Sequence, residues 1–344
     1  MVKKVNDPLL VGNTRRGLKV VDSLTVGQSG GPNGAAGRAD NLARLVVDEP
    51  GPPDAGLLAN DYDELHLTYE AQGQILWCEM RPRTRPSFTH SLLSDIRMLQ
   101  ERIRALHADP RIDDELRPRY LVYRSAFKDI FNLGGDLQLI GRLVRSKDRE
   151  GLARYASACI EALYPNIVSL DLPMVTVSLV EGAAFGGGFE GALSNNVLIA
   201  EEGATFGLPE ILFNLFPGMG AYSLISRRIG SVKAERLITS GKVHTAAEMY
   251  EMGIVDELAP TGHGESKVRE LVAKQQRRFN ARQAIYKVRQ RYHDLAFKEL
   301  ADITEIWVET AINLTASDLR RIDKLATMQD ARFRKSQADA SPRA

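Results

Sequence analysis

Two glutamates twenty positions apart, Glu190 and Glu210, stand beside glycine-rich turns in a chain of 344 residues. The first lies within EGAAFGGGFEG (181–191), where Gly186-x-Gly188-x-x-Gly191 has the spacing of a dinucleotide fingerprint. Glu210 follows where that fingerprint asks for a ribose-binding acid. Three features speak against a nucleotide. Glu190 sits between the second and third motif glycines, where its charge opposes a pyrophosphate. The helix that follows ends near Asn195, short for a crossover. Glu210 comes after Pro209 in a loop rather than at a strand end. The same turn suits another anion. Bare N–H groups at a helix start stabilise an enolate oxygen, and glycine lets the backbone come close to it. A second donor is needed, and FNLGGDL (131–137) offers one where a strand turns through Gly134-Gly135 into a helix. Two carboxylates beside such donors fit proton removal alpha to a carbonyl with proton transfer at the beta carbon. Burial and mutual repulsion would separate their pKa values, leaving one as base and one as acid.

The elements that must position these residues follow from periodicity. LHLTYEAQGQILWCEM (65–80) reads as two strands around a turn at Gln72-Gly73. Leu92, Ile96, Leu99, Ile103 and Leu106 recur at steps of four and three, giving a helix over about 90–107. RYLVYRS (119–125) is a buried strand, and beyond the FNLGGDL loop one long helical segment is expected to about 163. PMVTVSLVEG (173–182) and NVLIAEE (196–202) are further strands. Helices are expected at 219–229, 232–240 and 246–252, and from about 265 nearly to the end. Strand–strand–helix units in series indicate an α/β core with a parallel-rich sheet and a helical C-terminal region.

Composition sets the class. Net charge is +1, with 45 basic and 44 acidic residues, so nothing in it favours nucleic acid or an anionic membrane. Cys78 and Cys159 have no metal-ligand spacing and read as reduced buried thiols. The apolar run 167–180 is interrupted by Asp171 and Pro173 and falls short of a membrane helix, and no signal peptide is visible. A cytoplasmic protein is expected. Residues 1–58, rich in Gly, Pro, Asp and Arg, are expected to be disordered.

The stretch VEGAAFGGGFEGALSNNVLIAEEGATFGLPEILFNLFPGMGAYSLI, with FNLGGD upstream, resembles the crotonase (enoyl-CoA hydratase/isomerase) superfamily. That resemblance implies a spiral of ββα units over 59–262, with a C-terminal helical region over 263–344 that covers the pocket or mediates oligomerisation. It implies Gly135 and Gly187 as the two oxyanion donors and Glu190 and Glu210 as the catalytic pair. It implies no cofactor or metal beyond the substrate's own carrier, which is coenzyme A or the phosphopantetheine of acyl carrier protein. FNLGGDL, GGGFEGAL, AEEG, GLPEILFNLFPGMGAYS and EIWVETA are more specifically similar to the bacterial diffusible signal factor synthases. That branch is implied to dehydrate 3-hydroxyacyl groups on acyl carrier protein to cis-2-enoyl thioesters and to hydrolyse these to free acids for quorum sensing. A sensor kinase partner and a trimer or hexamer would accompany it. The rivals are a coenzyme A-dependent hydratase or isomerase with the same residues, and a non-catalytic interaction protein that keeps the fold.

Other residues have plainer expectations. Leu208, Leu212, Phe213, Met219 and Trp307 are candidates for an acyl pocket, along with Leu215 and Phe216. Asp136 reads as a helix cap, Glu201 and Glu202 as a solvated strand end, and the six histidines as surface or packing residues. Ser223 lacks the G-x-S-x-G setting of a nucleophile.

Overall fold

The computed structural model describes residues 61–339. The expectation of disorder over 1–58 lies outside the described residues. The chain begins with the expected hairpin, β1 (Leu65–Glu70) and β2 (Ile75–Met80), paired antiparallel. Its turn places Gly73 at φ 101°, a conformation glycine adopts without cost. Helix α1 (His90–Ala108) starts at Thr89, whose hydroxyl accepts from Leu92 N, and turns Leu92, Ile96, Leu99 and Ile103 inward.

Three successive passes of the chain then each give one strand to each of two sheets. The first pass is β3 (Tyr120–Ser125), β4 (Ile130–Asn132), α2 (Leu137–Arg145) and α3 (Arg149–Ile167). The second is β5 (Val175–Val180), β6 (Ala183–Phe185) and α4 (Gly187–Leu193). The third is β7 (Val197–Glu201), β8 (Thr205–Gly207), a 3-10 turn (Pro209–Phe213), α5 (Ala221–Ile229) and α6 (Ser231–Ser240). It closes with β9 (Val243–Thr245), α7 (Ala246–Glu251) and β10 (Glu257–Ala259). The large sheet runs β1-β2-β3-β5-β7-β10 and the small one β4-β6-β8-β9. Both are parallel except for the β1–β2 and β8–β9 pairs. This is the expected α/β spiral of ββα units.

Successive side chains of a strand face opposite ways, so the large sheet builds two cores. Leu76, Cys78, Leu121 and Tyr123 pack with α1 and α3 on one face. Ile75, Trp77, Val122 and Val177 pack on the other with α8 (Gly264–Gln276) and α9 (Phe279–Tyr292). The last two helices, α10 (Phe297–Ile312) and α11 (Ala316–Asp339), return to the first face, against α3 and α2. No helix among the described residues is long and apolar enough to cross a membrane.

Three expectations need correction. The single helix foreseen to about 163 is two, broken at Ser146–Asp148. Lys147 takes φ 57° there, and Asp148 caps the new helix by accepting from Gly151 N. The three-residue strands of the small sheet and β10 were not foreseen, because three residues carry no readable alternation. Glu201 is buried rather than solvated, and its carboxylate accepts from Gly264 N at 2.8 Å, capping the start of α8. Cys78 and Cys159 are free and buried, as expected.

Candidate active site

Each glycine loop leaves one N–H exposed to chemistry for a local reason. In the first loop, Leu133 N donates to Pro86 O and Gly134 N to Asn132 Oδ1. Asp136 N donates to the Tyr155 hydroxyl, which itself donates to Phe88 O. Between Leu133 and Asp136, only Gly135 N has no partner among the described residues. Asp136 caps α2 through Leu139 N, as expected. In the second loop, Gly186 N donates to Gly207 O, and Gly186 takes φ 51° to start α4. Gly187 N then heads the helix, at its positive end, with no partner among the described residues.

The two loops meet backbone to backbone. A Cβ on Gly134 would come within 3.0 Å of Gly187 N, and one on Gly187 within 3.4 Å of Gly135 N. One on Gly188 would lie 2.0 Å from Asn132 O. Glycine is required here by space, and the contact brings the two free donors to one side of one chamber.

Glu190 lies in the first turn of α4 and is 1% exposed. Its Oε1 accepts from Met219 N at 2.8 Å and Ala221 N at 2.9 Å, where Gly218-Met219-Gly220 turns into α5. Glu210 is half-buried on the 3-10 turn, with Oε1 so close to Gly186 that a Cβ there would lie 2.4 Å away. Its Oε2 is sealed from solvent and has no hydrogen-bond partner among the described residues. Burial pushes the Glu190 carboxyl up to about 7, tempered by its backbone donors. Burial, then the negative charge of Glu190, pushes Glu210 up to about 8.

These shifts oppose folding at high pH. A carboxyl whose folded pKa is raised contributes its full stability below the ordinary carboxylate pKa of about 4.3, and loses it as pH rises through the folded value. Glu210→Gln is therefore expected to leave Tm unchanged at about pH 4 and to raise it at about pH 9. Thermal melts at the two pH values check this, and an equal shift at both would remove the electrostatic cause.

Both glutamates, Gly135 and Gly187 line an inner chamber of about 50 Å³ closed by Phe213, Met219 and Trp307. Trp307 comes from α10 and lies so close over Gly218 that a Cβ there would strike the indole. An adjoining cavity of about 400 Å³ shares Gly135, Leu137, Glu210 and Phe213 and is roofed by Leu325 and Met328 of α11. The pocket candidates thus divide. Phe213, Met219, Trp307 and also Leu215 line the inner chamber, Leu208 and Leu212 line the outer cavity, and Phe216 lines neither. Leu212 is 53% exposed.

Sequence reasoning missed Leu137, Ile140, Tyr155 and Cys159 on the chamber wall, and Gln329 of α11, which donates to Leu133 O beside the first glycine loop. Tyr155 occurs at ordinary helical spacing in ARYASACIEAL, and nothing there marked it. Ser223 Oγ donates to Glu299, away from the chamber. No group of three potential metal ligands occurs among the described residues.

The sequence pattern of the enoyl-CoA hydratase/isomerase family matches residues 86–312, which span both glycine loops, both glutamates and Trp307. The chain belongs to this family. Solved structures share the fold. The enoyl-CoA hydratase of Bacillus halodurans is 20% identical with TM-score 0.63, covering 76% of this chain and 100% of that one. A putative enoyl-CoA hydratase of Streptomyces avermitilis is 19% identical with TM-score 0.62, covering 78% and 91%. DspI of Pseudomonas aeruginosa is 24% identical with TM-score 0.56, covering 70% and 91%. The paired glycine N–H groups and the paired glutamates lie within this matched region and meet in one chamber.

Proposed function

We propose that the protein is a 3-hydroxyacyl thioester dehydratase that also cleaves the thioester, acting on chains carried by acyl carrier protein and releasing a cis-2-unsaturated fatty acid signal. The carrying observation is that both carboxylates and both free N–H groups open on one enclosed chamber. The similarity of the quoted motifs to the diffusible signal factor synthases supports the choice of reaction.

In this reading the thioester oxygen accepts from Gly135 N and Gly187 N, which lowers the barrier to the enolate. Glu190, whose ionised form the N–H groups of Met219 and Ala221 favour, takes the alpha proton. Glu210, which holds the proton of the pair, protonates the beta-hydroxyl, which leaves as water as the double bond forms. That water stays between the two carboxylates, since about 50 Å³ has room for it. Deprotonated by one of them, it attacks the carbonyl carbon, and the same N–H pair holds the new oxyanion. The carbon–sulfur bond then breaks, and the thiol leaves with a proton from the carboxyl. The thioester's long carrier arm has its path through the outer cavity. A trimeric or hexameric assembly and a sensor kinase partner belong to this reading, testable by light scattering and by co-purification.

The scheme needs one proton on the pair. Below about pH 7 both carboxyls are protonated and no base remains, and above about 8 both are ionised and no acid remains. A bell-shaped kcat/KM profile with its flanks near these values is expected, the two constants belonging to the pair. A profile flat from pH 5 to about 10 would rule out a carboxyl acid–base pair of this kind.

The deciding experiment is mass spectrometry of products from medium-chain 3-hydroxyacyl carrier protein, with the acyl-CoA in parallel. Free 2-enoic acid from the carrier substrate supports the proposal. Enoyl-CoA without free acid returns the protein to the coenzyme A-dependent hydratases, a second reading favoured by the fold-level match to the full length of one such enzyme.

A further inference from the structure

Helix α9 presents a surface that the chemistry does not use. It packs on the large sheet through Phe279 and Tyr286, each 7% exposed, on the face away from α1 and α3. Its opposite side sets Ile285, Val288 and Tyr292 in solvent, at 56%, 67% and 80% exposure. Spacings of three and four residues join them in one stripe along the helix. A surface helix ordinarily turns its polar side outward, so an apolar stripe opposite the buried face marks a contact surface.

The charge around that stripe is one-sided. No acidic residue occurs between Glu270 and Asp294, while Arg277, Arg278, Arg282, Lys287, Arg289 and Arg291 all fall there. None of the six pairs with a carboxylate among the described residues. The contacts that Arg282 and Arg289 make are with the ring of Tyr286 and, for Arg289, with Asn196 O. At 100° per residue, Arg282 falls along one edge of the stripe and Arg291, with Lys287 behind it, along the other, while Arg289 turns its guanidinium inward to Asn196 O. Arg289 also opens on a cleft of about 150 Å³ shared with Arg228 and His293. The chain's net charge of +1 averages this concentration away, which is why composition gave no sign of it.

We propose that α9 docks the protein peripherally on an anionic lipid surface. The stripe would enter the boundary between headgroups and acyl chains to about 5–10 Å, with the flanking cations on the phosphates and Tyr292 at the interface. One uniformly negative plane satisfies both charged edges at once. A second copy meeting this face through its own α9 would bring like charges together, and a nucleic acid would leave the apolar centre unmatched. The surface lies across the sheet from the glutamates, so docking leaves the chamber free. The inference is independent of the reaction proposed above.

The test is sedimentation of the full-length protein with vesicles of phosphatidylcholine alone and with roughly one third phosphatidylglycerol. Binding to the anionic vesicles only, lost as salt rises to about 0.5 M, is expected. Lys287→Glu with Arg291→Glu, and separately Ile285→Ser with Val288→Ser, should each weaken it about tenfold or more while the thermal melt stays that of the wild type. Absence of binding, equal binding to both vesicle types, or binding that neither pair of substitutions alters would overturn the proposal. Dissociation of an oligomer by Ile285→Ser with Val288→Ser would assign the stripe to a second copy and overturn it as well.

Discussion

Glutamine in place of Glu210 is expected to lower kcat by about 10²–10⁴, and Glu190→Gln by a similar factor, with the fold intact. The physical basis is that each side chain exchanges a titrating group for an amide of the same shape. Glutamine at position 190 keeps an oxygen for the N–H groups of Met219 and Ala221, so the turn into α5 holds. What is lost is the proton that the pair passes between the alpha and beta carbons. Because the two carboxyls act as a unit, the double substitution should be little worse than either single one. Steady-state rates on the carrier-bound 3-hydroxyacyl substrate, with melts at about pH 5 as a fold check, read this directly. Wild-type-like turnover in either variant removes that residue from the chemistry and leaves the raised pKa as a consequence of burial alone.

The second large effect is expected from one methyl group. Gly188→Ala places a Cβ 2.0 Å from Asn132 O, a backbone atom that cannot rotate away. The two glycine loops must part, which costs about 1–3 kcal/mol as overpacking. Their separation also moves Gly187 N relative to Gly135 N. Loss of one such donor is worth about 10²–10³ in rate, so kcat should fall by that order together with Tm. Gly203→Ala is the control, since the new Cβ there meets nothing nearer than the Thr261 hydroxyl at 3.3 Å. A Gly188→Ala protein with unchanged turnover would show that donor spacing is not set by this contact.

The family and the fold class were legible because their signals are local. GGGFEG and GLPE are short runs whose glycines and acids have few other uses together, and the large-sheet strands other than β10 are five- or six-residue runs rich in apolar and aromatic side chains. The helix formed by 90–108 was legible for the same reason, its apolar period unbroken over five turns. The small sheet was not, since Ile130–Asn132, Ala183–Phe185 and Thr205–Gly207 are each three residues held only by neighbours from other passes of the chain. Glu201 misled because an acid at a strand end is usually solvated, and nothing local announces a helix start 63 residues later that takes its carboxylate.

For the chemistry, the sequence by itself determined which groups are available, namely two carboxylates twenty residues apart and two turns able to bare an N–H. Residue type and spacing along the chain are enough for that. Only the tertiary structure decided that the turns touch, that Glu190 is held by two backbone donors while Glu210 Oε2 has none, that Trp307 closes the chamber and that α11 roofs the adjoining cavity. Those facts depend on pairings between segments far apart in the chain. They set burial and donor count, and with them which carboxyl holds the proton, and no local pattern of residues encodes either.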